Sequence, residues 1–310
     1  MAIAGDLIHA RSATPFVRAY RGSMTASIQP DPSYATYLRD IAEAVSGDEV
    51  ECPTFVDASL GARLALKDPN LSVTQVTKVV AGEPLLSARV VAYANSAAIH
   101  RGGKPVTDVK TAVMRIGQNA VRNIAVALAL RQVGHAKELE PFRPQAREIL
   151  EHGQEVAVLA HVLALHHGKV APDDALFAGL VHDLGHFYAL WRATQCPELV
   201  SRPQEVRSLA HDCHAALGAA LLRSLKLTDA IILAVSEHEH DPAQLEPGSF
   251  SQILCLANRC ANTPVVQGSE TAGGPTQGST ADGGLDEEAA HTLLAEHFDD
   301  VTWLLAAIKG

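Results

Sequence analysis

Leu180-Val181-His182-Asp183-Leu184-Gly185-His186 is the stretch on which the reading of the fold turns. It follows an apolar helical run, Ala175-Leu176-Phe177-Ala178-Gly179-Leu180-Val181. An adjacent imidazole and carboxylate can both reach one divalent metal if a helix holds them at a cleft. His186 comes one helical turn after His182, so the two rings are expected to share a face. A bare His-Asp dipeptide carries little information; its company carries more. His152 lies upstream and His214 and His238 downstream, each within an apolar-periodic segment.

The composition frames what such a cluster can belong to. Of 310 residues, 47% are apolar and 19% charged, enough for a substantial core and two subdomains. Aromatics are only 5%, and Ala, Leu and Val dominate, which favours helices packed closely through small side chains. A formal net charge of −10 argues against a general nucleic-acid binder or a binder of anionic membranes. Cys52, Cys196, Cys213, Cys255 and Cys260 contain no C-x-x-C pair and read as reduced, mostly buried thiols. Residues 1–20 lack the apolar segment of a secretory signal, and no run approaches the roughly 18 apolar residues of a membrane span. The expected setting is cytoplasmic and soluble, with no membrane partner.

Outward from the His-Asp pair the pattern is helical throughout. Residues 1–51 read as a leader with one or two helices, one of them over 34–45 with Tyr37, Leu38, Ile41 and Val45 on one side. Helices are predicted over 55–66 and from the capping box Ser72-Val73-Thr74-Gln75 to Ala81, stopping at Gly82. Pro84 suits the first turn of a helix running to Ser96. Thr107 is the expected cap of a helix reaching Ile116, Gly117 its end, and 118–133 a further helix. Residues 139–143 read as a hinge before a long helix over 144–167, which carries His152, His161, His166 and His167. Nine residues put His161 about half a turn out of phase with His152, and His166 lies about 21 Å further along, so only His152 can meet His182 and Asp183. Pro172-Asp173-Asp174 opens the helix that delivers the pair. Helices over 204–225, 228–239 and 249–262 follow. Residues 263–284, rich in Gly, Ser and Thr, read as a disordered linker, and 285–310 as a C-terminal helix packing on the body rather than on a partner. No segment of any length has strand periodicity, so the fold class is all-α.

Several segments resemble a known family. Glu83-Pro84-Leu85-Leu86-Ser87-Ala88-Arg89 followed by Ala94-Asn95-Ser96-Ala97 is similar to the "DPALSARLL…ANSA" segment of bacterial HDOD domains. The stretch 106–130, with Ala112, Ile116, Gly117 and Asn123, resembles the segment that follows it there. The His-Asp region and His214-Ala215-Ala216-Leu217-Gly218 resemble its second half. The likeness spans about 52–262. It implies a helical subdomain over 52–138, then an HD-like helical subdomain over 139–262 related to metal-dependent phosphohydrolases. It also implies a bacterial signal-transduction role, usually without catalysis, through a protein partner or a nucleotide second messenger.

Carried over by position, the resemblance assigns His152, His182 and Asp183 to the metal-holding roles of HD hydrolases, and His214 and His238 to additional positions. If the site is active, His182, Asp183 and His186 are its catalytic candidates. The later Asp of active relatives falls on Asn258, and no Asp occurs from Pro247 to Glu270, so the cluster is expected to lack an anion that hydrolysis would use. His186 stands where HD-GYP enzymes carry Lys, and their "GYP" motif is absent after His238. The imidazoles and carboxylate suit Zn, Mn or Fe. Two readings stay open: a regulatory module that binds a partner or nucleotide through its helical surface or remnant cleft, and a metal-dependent phosphohydrolase acting on a nucleotide or cyclic dinucleotide. Without metal, the cluster would be a buried hydrogen-bonded network.

Overall fold

The computed structural model describes residues 32–46, 70–96, 104–167, 169–262 and 285–309, together with 53, 68 and 99. The helix predicted over 55–66 and the linker 263–284 lie outside the described residues. Within them every regular element is helical. The α-helices are α1 (Pro32–Ser46), α2 (Val73–Ala81), α3 (Pro84–Ala94), α4 (Val109–Gly134), α5 (Arg143–His167), α6 (Pro172–Val181), α7 (Leu184–Thr194), α8 (Pro197–Val200), α9 (Pro203–Ser224), α10 (Asp229–Glu237), α11 (Phe250–Ala261), α12 (Glu287–Glu296) and α13 (Phe298–Lys309). None is long and apolar enough to cross a membrane.

Local chemistry sets most boundaries. Ser72 and Gln75 form the expected capping box, each side chain taking a backbone N–H of the other. Pro84 and Pro172 occupy first turns, where their missing N–H costs nothing. The cap of α4 is Asp108, not Thr107, and its carboxylate accepts from the Thr111 N–H. The expected stop at Gly117 is a kink at φ +80°, after which the helix resumes. Residues 137–142 form a 3-10 turn rather than an open hinge.

α5 is the central strut. α6 and α11 pack along it, and α4, α12 and α13 also touch it. α2 and α3 pack on α4, whose Asn123 amide donates to the Asp173 carbonyl at 2.7 Å and so joins the amino-terminal bundle to α6. Asn95 bonds Val106 in both directions at 2.8 Å and fastens the loop after α3. α1 lies against α7, α8 and α9, with Tyr37 and Ile41 buried and Asp40 paired to Arg192. Small residues permit the closest crossings. A Cβ on Gly179 would lie 2.4 Å from the Ala157 Cα, and one on Gly185 would lie 2.0 Å from the His214 carbonyl oxygen. Only glycine lets α6 meet α5, and α7 meet α9, at these points.

Two segments differ from expectation. The carboxy-terminal stretch is not one helix: it breaks at His297 (φ −109°, ψ 28°) into an α12–α13 hairpin. Ala290, Leu294, Val301, Leu304 and Ile308 are all buried, and the bend lets α12 cover α11 and α5 while α13 covers α5 and α3. The short α8, opened by Pro197, was hidden by its length.

A candidate metal centre in the helical cleft

Four elements converge on one cleft. α5 supplies His152, the α6–α7 junction supplies His182, Asp183 and His186, α9 supplies His211 and His214, and the end of α10 supplies His238 and Glu239. The His-Asp pair does not ride on one helix. His182 closes α6 and Asp183 opens α7 with non-helical backbone (φ −96°, ψ 13°), so His182 and His186 are related through Asp183, which both face, and not by one continuous helical turn. The Gly185 crossing then seats this junction against α9 and brings His186 within 4.1 Å of His214, ring centre to ring centre.

The buried imidazoles are oriented alike. His182 Nδ1 lies 2.8 Å from the Gly179 carbonyl, His214 Nδ1 2.6 Å from that of His211, and His238 Nδ1 2.6 Å from that of Val235. A carbonyl only accepts, so in each ring Nδ1 carries a proton, and whenever the ring is neutral Nε2 is left with a lone pair. Those lone pairs point inward. His182 Nε2 is buried without a hydrogen-bond partner, and His214 Nε2 and His238 Nε2 stand 3.0 Å apart. Two acceptors at that distance repel unless a proton or a cation lies between them. Carbonyl-locked rings with orphaned inward Nε2 atoms are how proteins hold imidazole metal ligands. The residues fit a divalent metal.

Asp183 is the hub. Its Oδ1 lies 3.4 Å from His182 Nε2, 3.6 Å from His214 Nε2 and 3.8 Å from both His186 Nε2 and His238 Nε2. Burial pushes against its ionisation, whereas any positive charge among the surrounding imidazoles pulls its carboxyl below the usual carboxylate range. Burial lowers His182, takes His186 and His238 down to about 3, and so keeps these rings neutral. His214 is the exception. Burial works against its charged form, yet the neighbouring Glu239 and Asp183 carboxylates raise it.

Sequence reasoning missed Glu239. Its Oε1 lies 3.4 Å from His238 Nε2 and 3.6 Å from His214 Nε2. The nearby His214 imidazole takes its carboxyl down to about 2 despite partial burial. Asn258 sits where expected, between this carboxylate and His152: its amide donates to Glu239 at 3.1 Å and its carbonyl oxygen lies 2.8 Å from His152 Nε2. Because a carboxylate only accepts, Glu239 fixes which way Asn258 points, and His152 Nε2 donates to it. The expected shortage of a second anion is therefore not what the geometry displays. A carboxylate comes from the residue after His238 instead of from α11. His211, also passed over, flanks His214 at 5.5 Å.

Three overlapping sets of ligand atoms result: His152 with His182 and Asp183, Asp183 with His214 and His238, and His214 with His186 and His211. His161 lies apart from them, as its phase on α5 predicts, and is buried, while His166 is exposed. A cavity of about 600 Å³ opens over His152, Asp183, His186 and His211, walled by Ile149, Leu190, Gln204 and Arg207. Arg207 is paired to Glu148 at its mouth.

The HDOD domain model matches residues 52–242. The chain belongs to the HDOD domain family. No curated protein matches it in sequence. Among solved structures, this HDOD chain is similar to a provisionally named metal-dependent phosphohydrolase from Shewanella amazonensis SB2B, at 20% identity and TM-score 0.65 over 89% of this chain and 98% of that one. It is similar to an HDOD domain protein with unknown function from Geobacter sulfurreducens, at 20% identity and TM-score 0.56 over the same shares. A provisionally named signal transduction protein from Marinobacter aquaeolei VT8 aligns at 20% identity and TM-score 0.53 over 92% of this chain and 68% of that one. These likenesses establish the all-helical HD-like fold.

Proposed function

We propose that this HDOD protein is a regulator whose cleft holds a divalent transition metal (Zn, Mn or Fe) and, beside it, a phosphate-bearing small ligand of the nucleotide class. The observation that carries the reading is the 3.0 Å approach of two inward Nε2 lone pairs next to a buried, ionised Asp183. His182, Asp183, His214 and His238 would hold the metal, with His152 joining once it gives up its bond to Asn258. A metal there supplies charge neutralisation and Lewis acidity to a phosphoryl group. The chain's own part is to lock the rings through backbone carbonyls, exclude water from His182 and offer Arg207 and His211 to the ligand's outer charge. The cavity volume falls in the range of small-molecule sites. Relay to a protein partner would use the helical surface outside the cleft.

Glu239 supports a second reading, hydrolysis of that ligand. It returns the anion that Asn258 removes, and its half-exposed carboxylate would orient a water at the cleft by accepting its hydrogen bond. Metal analysis of the purified chain, followed by binding and turnover over a nucleotide panel, tests both. Metal and binding without turnover support the regulator; turnover lost in Asp183→Ala and Glu239→Gln supports the enzyme. Absence of metal and of nucleotide binding would overturn both.

A further inference from the structure

A second cluster of ligand atoms lies away from the cleft. His166 stands in the last turn of α5, His297 at the bend between α12 and α13, and Asp300 in the first turn of α13. The two imidazoles stack with ring centres 3.5 Å apart and planes 19° from parallel, and His297 Nδ1 is 3.7 Å from Asp300 Oδ2. One nitrogen or oxygen from each of the three falls within 4.8 Å of the others. Tetrahedral zinc, with bonds of about 2.0–2.1 Å, separates its ligand atoms by about 3.3 Å. The three groups therefore need to close by about 1.5 Å at most, well within side-chain rotation at a partly exposed site. Two imidazoles and one carboxylate with a fourth position open to water is a donor set that suits zinc. Buried His161, whose Nδ1 has no hydrogen-bond partner, lies close enough for Asp300 and His166 to act on it electrostatically.

The placement gives the cluster a task. The hairpin is tied near its start by Glu287 to Arg259 at 3.2 Å. Its end is tied by the Lys309 carbonyl, which accepts from Arg89 at 3.2 Å and Arg131 at 3.1 Å. The bend lies between these ties, on the strut that also carries His152. We propose that His166, His297 and Asp300 form a second, zinc-class metal site that clips the α12–α13 hairpin onto the end of α5. Zinc bound there links chain segments far apart in sequence and holds the hairpin closed by mass action.

The test adds zinc ion to the full chain and follows hydrogen exchange of residues 287–309, with zinc binding measured by calorimetry. Zinc at ten times its dissociation constant should slow hairpin opening about tenfold. The protection should persist in Asp183→Asn, which alters only the cleft, and vanish in His297→Gln and in the near-isosteric Asp300→Asn, each with one zinc equivalent lost. The two variants guard against a folding defect in either one, and their zinc-free exchange should match that of the parent chain. No zinc-dependent protection in the parent chain, or protection undiminished in both variants, overturns the proposal. The outcome is independent of whether the cleft holds metal.

Discussion

Glu239 brings a carboxylate to the cleft, and Asn258 links it to His152 by donating to Glu239 and accepting from His152 Nε2. Removing the charge alone is therefore informative. Glu239→Gln should weaken divalent-metal binding to the cleft about 10- to 100-fold in calorimetry while leaving the helix content unchanged. Asn258→Asp should act oppositely in two states. Its new carboxylate faces Glu239 across the present 3.1 Å bond, so the metal-free protein should melt at lower temperature, whereas added metal should raise its melting point more than it raises the parent's. Equal shifts in both states would remove Asn258 from the metal's surroundings. The imidazoles were legible in the sequence because histidines on apolar faces stand out. Glu239 was not, since a glutamate at a helix end is ordinarily solvated, and only the packing of α11 against α10 reveals its partners.

Helices were read most reliably where a side chain itself closes the end, as at Ser72, Pro84, Pro172 and Ser249. Breaks set by tertiary fit escaped. The α6–α7 junction at Asp183 and the α12–α13 bend at His297 have no Pro or Gly to announce them; each exists because the segment on either side has a different surface to cover. Crossings are equally invisible along the chain, although the alanine-rich composition foretold close packing. Gly185 carries the most demanding one. Gly185→Ala would drive a methyl into the His214 carbonyl, so α7 must shift from α9, at a cost of about 1–3 kcal/mol in denaturant unfolding and with loss of cleft metal affinity. Gly82→Ala, whose added Cβ meets nothing closer than 3.4 Å, should be close to neutral. Equal costs at the two positions would contradict the assigned crossing.

At the scale of the molecule, the buried rings make stability depend on pH. His186 and His238 titrate at about 3 when folded, against an ordinary 6.5. Between those values the unfolded chain binds more protons, so folded stability is full above about 6.5 and declines as pH falls toward 3. Glu239, taken from 4.5 to about 2, adds a loss in the same direction below 4.5. His214, raised, works the other way and loses its contribution as pH rises through its folded value. Two strongly depressed rings outweigh one raised ring, so the metal-free protein should melt progressively lower from pH 6.5 down to 4. A melting temperature that is flat or rising over that range would contradict the buried neutral cluster. The all-helical HD-like fold of this HDOD chain was readable from order and periodicity, whereas the cleft depends on four elements meeting, which only their packing decides. That meeting is the central claim, and anomalous scattering from crystals grown with Zn, Mn or Fe tests it most directly. The expected result is a peak bounded by His182 Nε2, Asp183, His214 Nε2 and His238 Nε2; crystals with full metal in solution and no anomalous density in that space would contradict it.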